Sequence, residues 1–278
     1  MITIVGLGVI GGSYALALKE AGIPEVYGVD TDLQTITMAH AMGAIAGGGT
    51  DASQYLPESD MVILAIYPKS VIPFLRQYAH LMKPGSVLTD ATGIKTAIID
   101  QILPLLPEGV DYVPGHPMAG REKKGFAFAS AEVFKGANYL LTPLPTNTPE
   151  HIDQIEQLAL QMGFRRIKRI TAQLHDEMIA YTSQLPHAMA VALVNSDIDG
   201  RDTGKFIGNS YRDLTRIARI NSALWAELFF ENREQLLPAL DRFLDEMQAI
   251  RNAVAERDQQ ALVAKFDEST RRREALDD

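Results

Sequence analysis

A glycine-punctuated turn in the first thirty residues restricts the fold of this chain more than any other stretch. Met1-Ile-Thr-Ile-Val5 is a short apolar run, and Gly6-Leu-Gly8-Val-Ile-Gly11 follows it without a gap. From Gly12 to Gly22 apolar residues recur at helical spacing, and Glu25-Val-Tyr-Gly-Val29 is a second apolar run ending on Asp30. Strand, glycine turn, helix, strand and acid follow in the order that a dinucleotide-binding βαβ unit requires. Gly6 permits the tight turn, Gly8 lets backbone approach a pyrophosphate, and Gly11 lets the helix sit close on the sheet. Leu7, Val9 and Ile10 complete the turn, whose amides and helix dipole favour phosphate. Asp30 stands 19 residues after Gly11, where it can accept hydrogen bonds from ribose hydroxyls. It would repel a 2′-phosphate, so the predicted cofactor is NAD rather than NADP.

Beyond Asp30 apolar runs alternate with helical patterns as far as Thr171. Met61 to Ile66 reads as a strand buried on both faces, and Ser86 to Thr89, Tyr139 to Thr142 and Arg166 to Thr171 as further strands. Helices are predicted over 33–42, 70–82, 96–103 and 149–162, with Gly47 to Gly49 as a loop. The fold class is therefore α/β, with an N-terminal Rossmann-type, doubly wound, mostly parallel sheet. After Ala172 only helical periodicity remains: a long helix over 172–196 kinked near Pro186, then helices over 210–218, 223–243 and 244–272. This predicts a cofactor domain at 1–171 and an all-helical domain at 172–278.

Composition narrows the chemistry. The chain has 278 residues, 46% of them hydrophobic, no cysteine and a net charge of −9. Disulfides, cysteine-ligated metals and a thiol nucleophile are excluded. The acidic balance counts against nucleic acid as a partner, and no apolar run is long enough to cross a bilayer. With methionine opening the first strand directly, a cytoplasmic location without a targeting segment is expected.

In a doubly wound sheet ligands lie beyond the carboxyl ends of the strands. Three such ends are candidates: Ile66-Tyr67-Pro68, Asp90 to Lys95, and Gly115 to Gly120, the last a loop by its glycines and proline. His116 within it can take a proton from a hydroxyl while a hydride leaves the same carbon.

These motifs, taken together, resemble the prephenate and arogenate dehydrogenases of tyrosine biosynthesis. The resemblance rests on Gly6-Leu-Gly-Val-Ile-Gly-Gly-Ser13, Asp90-Ala-Thr-Gly-Ile-Lys95, His116-Pro-Met-Ala-Gly-Arg-Glu122, Gln184-Leu-Pro-His187 and Tyr211-Arg-Asp-Leu-Thr-Arg-Ile-Ala218. It implies oxidative decarboxylation of prephenate to 4-hydroxyphenylpyruvate with hydride transfer to NAD⁺, or the corresponding reaction of arogenate. Aromatisation drives the loss of CO₂, so the chemistry itself calls for neither metal nor Schiff base.

By resemblance His116 acts at the 4-hydroxyl and Arg216 binds a substrate carboxylate, most simply the ring carboxylate. Glu122 and Asp213 form an ionic network with that arginine, His187 and Gln184 face the substrate side chain, and Trp225 edges the pocket. Many members carry serine where this chain has Gly93, which leaves Thr92 as the neighbouring hydroxyl, with Gly93 beside the nicotinamide. Gln184 stands where relatives often have histidine. Two other functions compete: a β-hydroxyacid-type or imine-reducing dehydrogenase built on Lys95, and a regulator that senses NAD(H) without turnover. A homodimer is expected through the helical domain, on an apolar face including Leu224, Leu228, Phe229, Leu236, Leu240 and Phe243.

Overall fold

The apolar runs become the strands of a six-stranded parallel sheet in a computed structural model that describes residues 1–120 and 123–276. The strands are β1 (Ile2–Val5), β2 (Val26–Val29), β3 (Gly47–Gly49), β4 (Met61–Leu64), β5 (Val87–Asp90) and β6 (Asp111–Tyr112). Helices α1 (Val9–Glu20), α2 (Leu33–Ala41), α3 (Pro68–Tyr78) and α4 (Thr96–Ile102) stand between them in the chain. Neighbouring residues of one strand serve different cores. Ile4 and Ile63 join one apolar cluster, Val5 and Leu64 the other, as the two-residue period of a sheet covered on both faces demands. The spatial order is β3-β2-β1-β4-β5-β6, so direction reverses between β1 and β4. That switch point opens a crevice at the strands' carboxyl ends.

Two local predictions are corrected. Gly47-Gly-Gly49 is an edge strand rather than a loop. A Cβ on Gly48 would lie 2.4 Å from the Gly28 carbonyl oxygen, so glycine is what lets this strand approach β2. Gly115 to Met118 is likewise a strand, β7, not a loop. It pairs antiparallel with β8 (Asn138–Leu141), which runs parallel to β9 (Arg166–Arg169) in a separate three-stranded sheet. Pro117 is tolerated because β7 is an edge of that sheet. The helix between β8 and β9 is α5 (Pro149–Gln161), capped by the Thr148 hydroxyl.

No strand follows Arg169 among the described residues. α6 (Ala172–Ile179) runs through a π-helical turn, Ala180–Gln184, into α7 (Leu185–Asn195). The wide turn ends two residues before Pro186, which has no N–H to offer the ladder. Then come α8 (Asn209–Thr215), a 3₁₀ turn at Arg216–Ala218, α9 (Ser222–Glu231), α10 (Arg233–Glu256) and α11 (Gln259–Glu274). The helix breaks lie elsewhere than predicted. The first is at Asn232, whose buried amide donates to the Asp176 carbonyl and to Gln184 Oε1, both at 2.9 Å. The second is at Arg257, in the left-handed region at φ 54°, followed by the Asp258 cap of α11.

The chain divides into two compact units, Met1–Asn232 and Arg233–Asp278. Within the second, α10 packs on α11, and Lys265 pairs with Glu246 at 2.6 Å. Of the apolar face expected on α10, Leu236 is buried, and the exposed stripe is Leu237, Leu244, Met247 and Val254, with Val263 and Phe266 on α11. The α10 positions recur at seven and ten residues, one side of a helix. Charge placed there should abolish self-association: Leu244→Arg is expected to convert a dimer at micromolar concentration to a monomer by light scattering. An unchanged mass would put the interface on another face.

Candidate active site

The first turn of the sheet has the geometry of a phosphate cradle. Gly6 has φ 88°, and a Cβ there would lie 2.6 Å from Ile66 Cγ2 and 2.7 Å from the Ala65 carbonyl oxygen, so the loops after β1 and β4 touch. A Cβ on Gly11 would lie 1.8 Å from the Gly6 carbonyl oxygen, which fixes α1 against the turn. Gly8 is different: a Cβ there would meet nothing within 4 Å. That gap is where a pyrophosphate can approach backbone. α1 has no side-chain cap and no acidic residue in its first turn, so the helix brings no negative charge of its own to its N-terminus. Asp30, at the end of β2, accepts from Leu7 N at 2.7 Å and from Asp32 N at 2.9 Å. These residues fit a dinucleotide.

At the end of β5 the chain buries a charge pair. Lys95 Nζ lies 2.8 Å from Asp90 Oδ2, and both side chains are fully buried. Tyr112 donates to Asp90 Oδ1 at 2.9 Å, and Lys95 donates also to the Thr92 carbonyl at 2.8 Å. Burial pulls the Lys95 ammonium below its usual range, with Asp90 opposing. The Thr92 hydroxyl is bonded to Asp90 and lies 3.0 Å from the Ile94 carbonyl oxygen, so it braces this pair behind the site instead of facing a substrate. Lys95 is held the same way, which removes the basis for a lysine-dependent dehydrogenase.

Gly93 projects from this braced loop toward His116 on β7. A Cβ at 93 would lie 3.8 Å from His116 Nε2 and 3.4 Å from Leu228 Cδ2. Behind the ring, His116 Nδ1 is 2.9 Å from His175 Nε2, and His175 Nδ1 is 2.7 Å from Asp176 Oδ1. Asp176 also accepts from Lys95 N and Thr96 N, each at 2.8 Å. The proton positions follow from this order. A carboxylate only accepts, so His175 Nδ1 bears a proton and its Nε2 is an acceptor. His116 must then donate through Nδ1, and its Nε2, on the Gly93 side, holds the lone pair. Burial, reinforced by His175 and Lys95, pushes the His116 pKa well below 6.5. Burial lowers His175 as well, against Asp176. Burial would raise Asp176, but hydrogen bonds from His175 and Thr96 outweigh it and hold the carboxyl below its ordinary value.

The helical residues of the first unit form the other wall. His187 on α7 stacks on Trp225 of α9 with ring centroids 3.6 Å apart, and Phe229 packs edge-on to Trp225 at 5.8 Å. His187 Nδ1 donates to the Ser183 carbonyl at 2.8 Å, which sets its tautomer. Gln184, expected at the substrate side chain, is buried behind α9. Its amide nitrogen donates to the Leu228 carbonyl at 3.0 Å and its oxygen accepts from Asn232. Arg216 and Asp213 are exposed, and the turn carrying Arg216 packs against α7. Glu122 lies outside the described residues.

Two family profiles match this sequence. That of the prephenate dehydrogenase nucleotide-binding domain covers residues 14–168, and that of the prephenate dehydrogenase dimerization domain covers 151–268. The chain belongs to the prephenate dehydrogenase family. It is 31% identical to the cyclohexadienyl dehydrogenase of Zymomonas mobilis, over 99% of this chain and 95% of that one. Against the prephenate dehydrogenase of Bacillus subtilis it is 28% identical, over 95% of this chain and 73% of that one. The fold superposes with a TM-score of 0.90 on the prephenate dehydrogenase of A. aeolicus solved with hydroxyphenyl propionate and NAD⁺, at 25% identity over 99% and 97% of the two chains.

Sequence reasoning misses His175 and Asp176. They sit one after the other in Leu174-His-Asp-Glu177, where a polar pair reads as a solvated helix face. What marks them is their shared burial at the start of α6, which is visible only in three dimensions.

Proposed function

We propose that this chain oxidises and decarboxylates prephenate to 4-hydroxyphenylpyruvate, with His116 as general base and Arg216 as the carboxylate ligand. The observation that carries the proposal is the chain His116–His175–Asp176, which leaves a lone pair on Nε2 beside Gly93. NAD⁺, when bound, supplies the hydride acceptor for C4. His116 Nε2 takes the proton of the 4-hydroxyl as that carbon becomes a carbonyl. The ring carboxylate then leaves as CO₂, its bonding electrons enter the ring, and His116 returns the proton to the oxygen of the new phenol. Proton uptake and release balance over the cycle. Asp176 makes His175 a better acceptor, so the transient positive charge on His116 is stabilised through the His175 ring.

The cofactor half and the substrate half meet at Thr171 in this proposal, since the glycine turn, Asp30 and the strands precede it and His187, Arg216 and Trp225 follow it. The enzyme works as a homodimer. Among the described residues no helix is long and apolar enough to cross a membrane. A cytoplasmic location, where NADH is reoxidised, belongs to the proposal, and cell fractionation checks it.

Mixing the protein with NAD⁺ and prephenate should produce NADH and CO₂ in equal amounts, and parallel runs with arogenate measure the side-chain preference. Absence of NADH with either substrate would end the proposal. Asp30 carries the cofactor choice. In Asp30→Ala the ratio of kcat/KM for NAD⁺ over NADP⁺ should fall at least about tenfold, because a carboxylate no longer repels the 2′-phosphate. An unchanged ratio would place that choice elsewhere.

A further inference from the structure

α9 reaches the cofactor side of the cleft with a residue that the reaction as proposed does not use. Glu227 follows Trp225 by two positions and precedes Leu228, the residue packed over Gly93. Its Oε1 accepts from the backbone N–H of Lys69 in the first turn of α3, and α9 packs against that helix. Asn221, just before α9, adds a bond at 3.2 Å to the Tyr67 hydroxyl. The other oxygen, Oε2, is buried and has no hydrogen-bond partner. No lysine, arginine or histidine side chain pairs with Glu227 among the described residues. A carboxylate is thus held at the end of β4 against the Lys69 N–H in the first turn of α3. Buried polar atoms are nearly always satisfied, so an unpaired carboxylate oxygen at a ligand crevice calls for an explanation.

Position identifies what the charge acts on. The pyrophosphate turn follows β1, the base stands beyond β5, and β4 lies between them in the sheet. A dinucleotide held at the Gly8 turn and reaching His116 would pass the β4–α3 junction, where Glu227 stands. The substrate carries two carboxylates and would be repelled there. The oxidised nicotinamide ring carries a positive charge that the reduced ring lacks.

We propose that Glu227 selects the redox state of the cofactor: its carboxylate stabilises the cationic oxidised nicotinamide and gives no such stabilisation to the neutral reduced ring. This rests on the dehydrogenase function proposed above. It makes Glu227 a residue that favours uptake of NAD⁺ and release of NADH.

Binding of each nucleotide without substrate tests this, read by quenching of Trp225, the only tryptophan. Glu227→Gln keeps an acceptor for Lys69 N–H and loses the charge. Its affinity for NAD⁺ relative to NADH should fall about tenfold, the size expected for one charge acting across a partly screened crevice. Glu227→Asp keeps the charge and should preserve the ratio of the parent. Thermal unfolding without ligand checks that each variant folds, and Glu227→Ser takes the place of Gln if that variant does not. A ratio unchanged within twofold in the neutral variant, with both nucleotides still bound, overturns the inference and leaves the function standing. A parent protein that binds neither nucleotide overturns the function, and the inference falls with it.

Discussion

Replacing His116 with asparagine lowers kcat by about 10²–10⁴-fold while KM for prephenate changes little. Asparagine preserves a hydrogen-bonding group near Gly93 but cannot accept a proton as imidazole does. Its short side chain also gives up the bond from Nδ1 to His175, so the ordered sequence of donors and acceptors from Asp176 outward ends one residue early. Steady-state kinetics over a range of prephenate concentrations measure both constants. A variant with near-normal kcat, or one that lost only affinity, would reassign His116 to binding.

The second large effect is expected at Arg216 and follows from charge. A protein at −9 overall repels a dianion at long range, so local cations must reverse the sign at the site. Lys95 cannot do so, because it is sealed under the loop with Asp90. Arg216 is exposed on a turn packed against the helix of His187, where an arriving carboxylate can cover it. Losing a guanidinium from a desolvated carboxylate pair costs about 2–5 kcal/mol. Arg216→Ala should therefore raise KM for prephenate by roughly 30-fold to several thousand-fold, with the Kd for NAD⁺ nearly untouched. Arg216→Lys should recover part of the loss, since an ammonium cannot engage both carboxylate oxygens in a planar fork. If KM in Arg216→Ala matches the parent, another cation holds the substrate, and Arg212 on α8 is the next candidate.

What was legible in the sequence, and what was not, divides along physical lines. β1, β2, β4 and β5 were visible because strands of a parallel sheet are buried on both faces and are therefore mostly apolar. The glycine turn and Asp30 were visible because each answers a local steric or electrostatic demand. β3 was hidden because three glycines show no side-chain pattern, although the backbone pairs well. β7 was hidden because Gly115 and Pro117 are turn-like alone, and only β8 makes them a strand. The break at Asn232 depends on hydrogen bonds to Asp176 and Gln184, residues 56 and 48 positions away. Thr92 and Gln184 are polar residues next to the site in sequence whose side chains brace it from behind. Their partners, Asp90 and Asn232, decide that. His175 and Asp176 show the reverse, two ordinary helix residues that folding places directly behind the base.

The role of a neutral His116 as the base shows itself in the pH dependence of kcat/KM. Burial lowers His116 first of all, helped by His175 and Lys95, so the ring stays neutral at pH 7 and takes up a proton only well below 6.5. Activity that needs the neutral ring is then fully present above pH 6.5 and is lost as pH falls through the lowered pKa. The expected kcat/KM is level from pH 8 to about 6.5, falls with unit slope at lower pH, and shows no such acid limb in His116→Asn. An acid limb centred at or above 6.5, or one that persists unchanged in the variant, would contradict the assignment of a neutral His116 as the base.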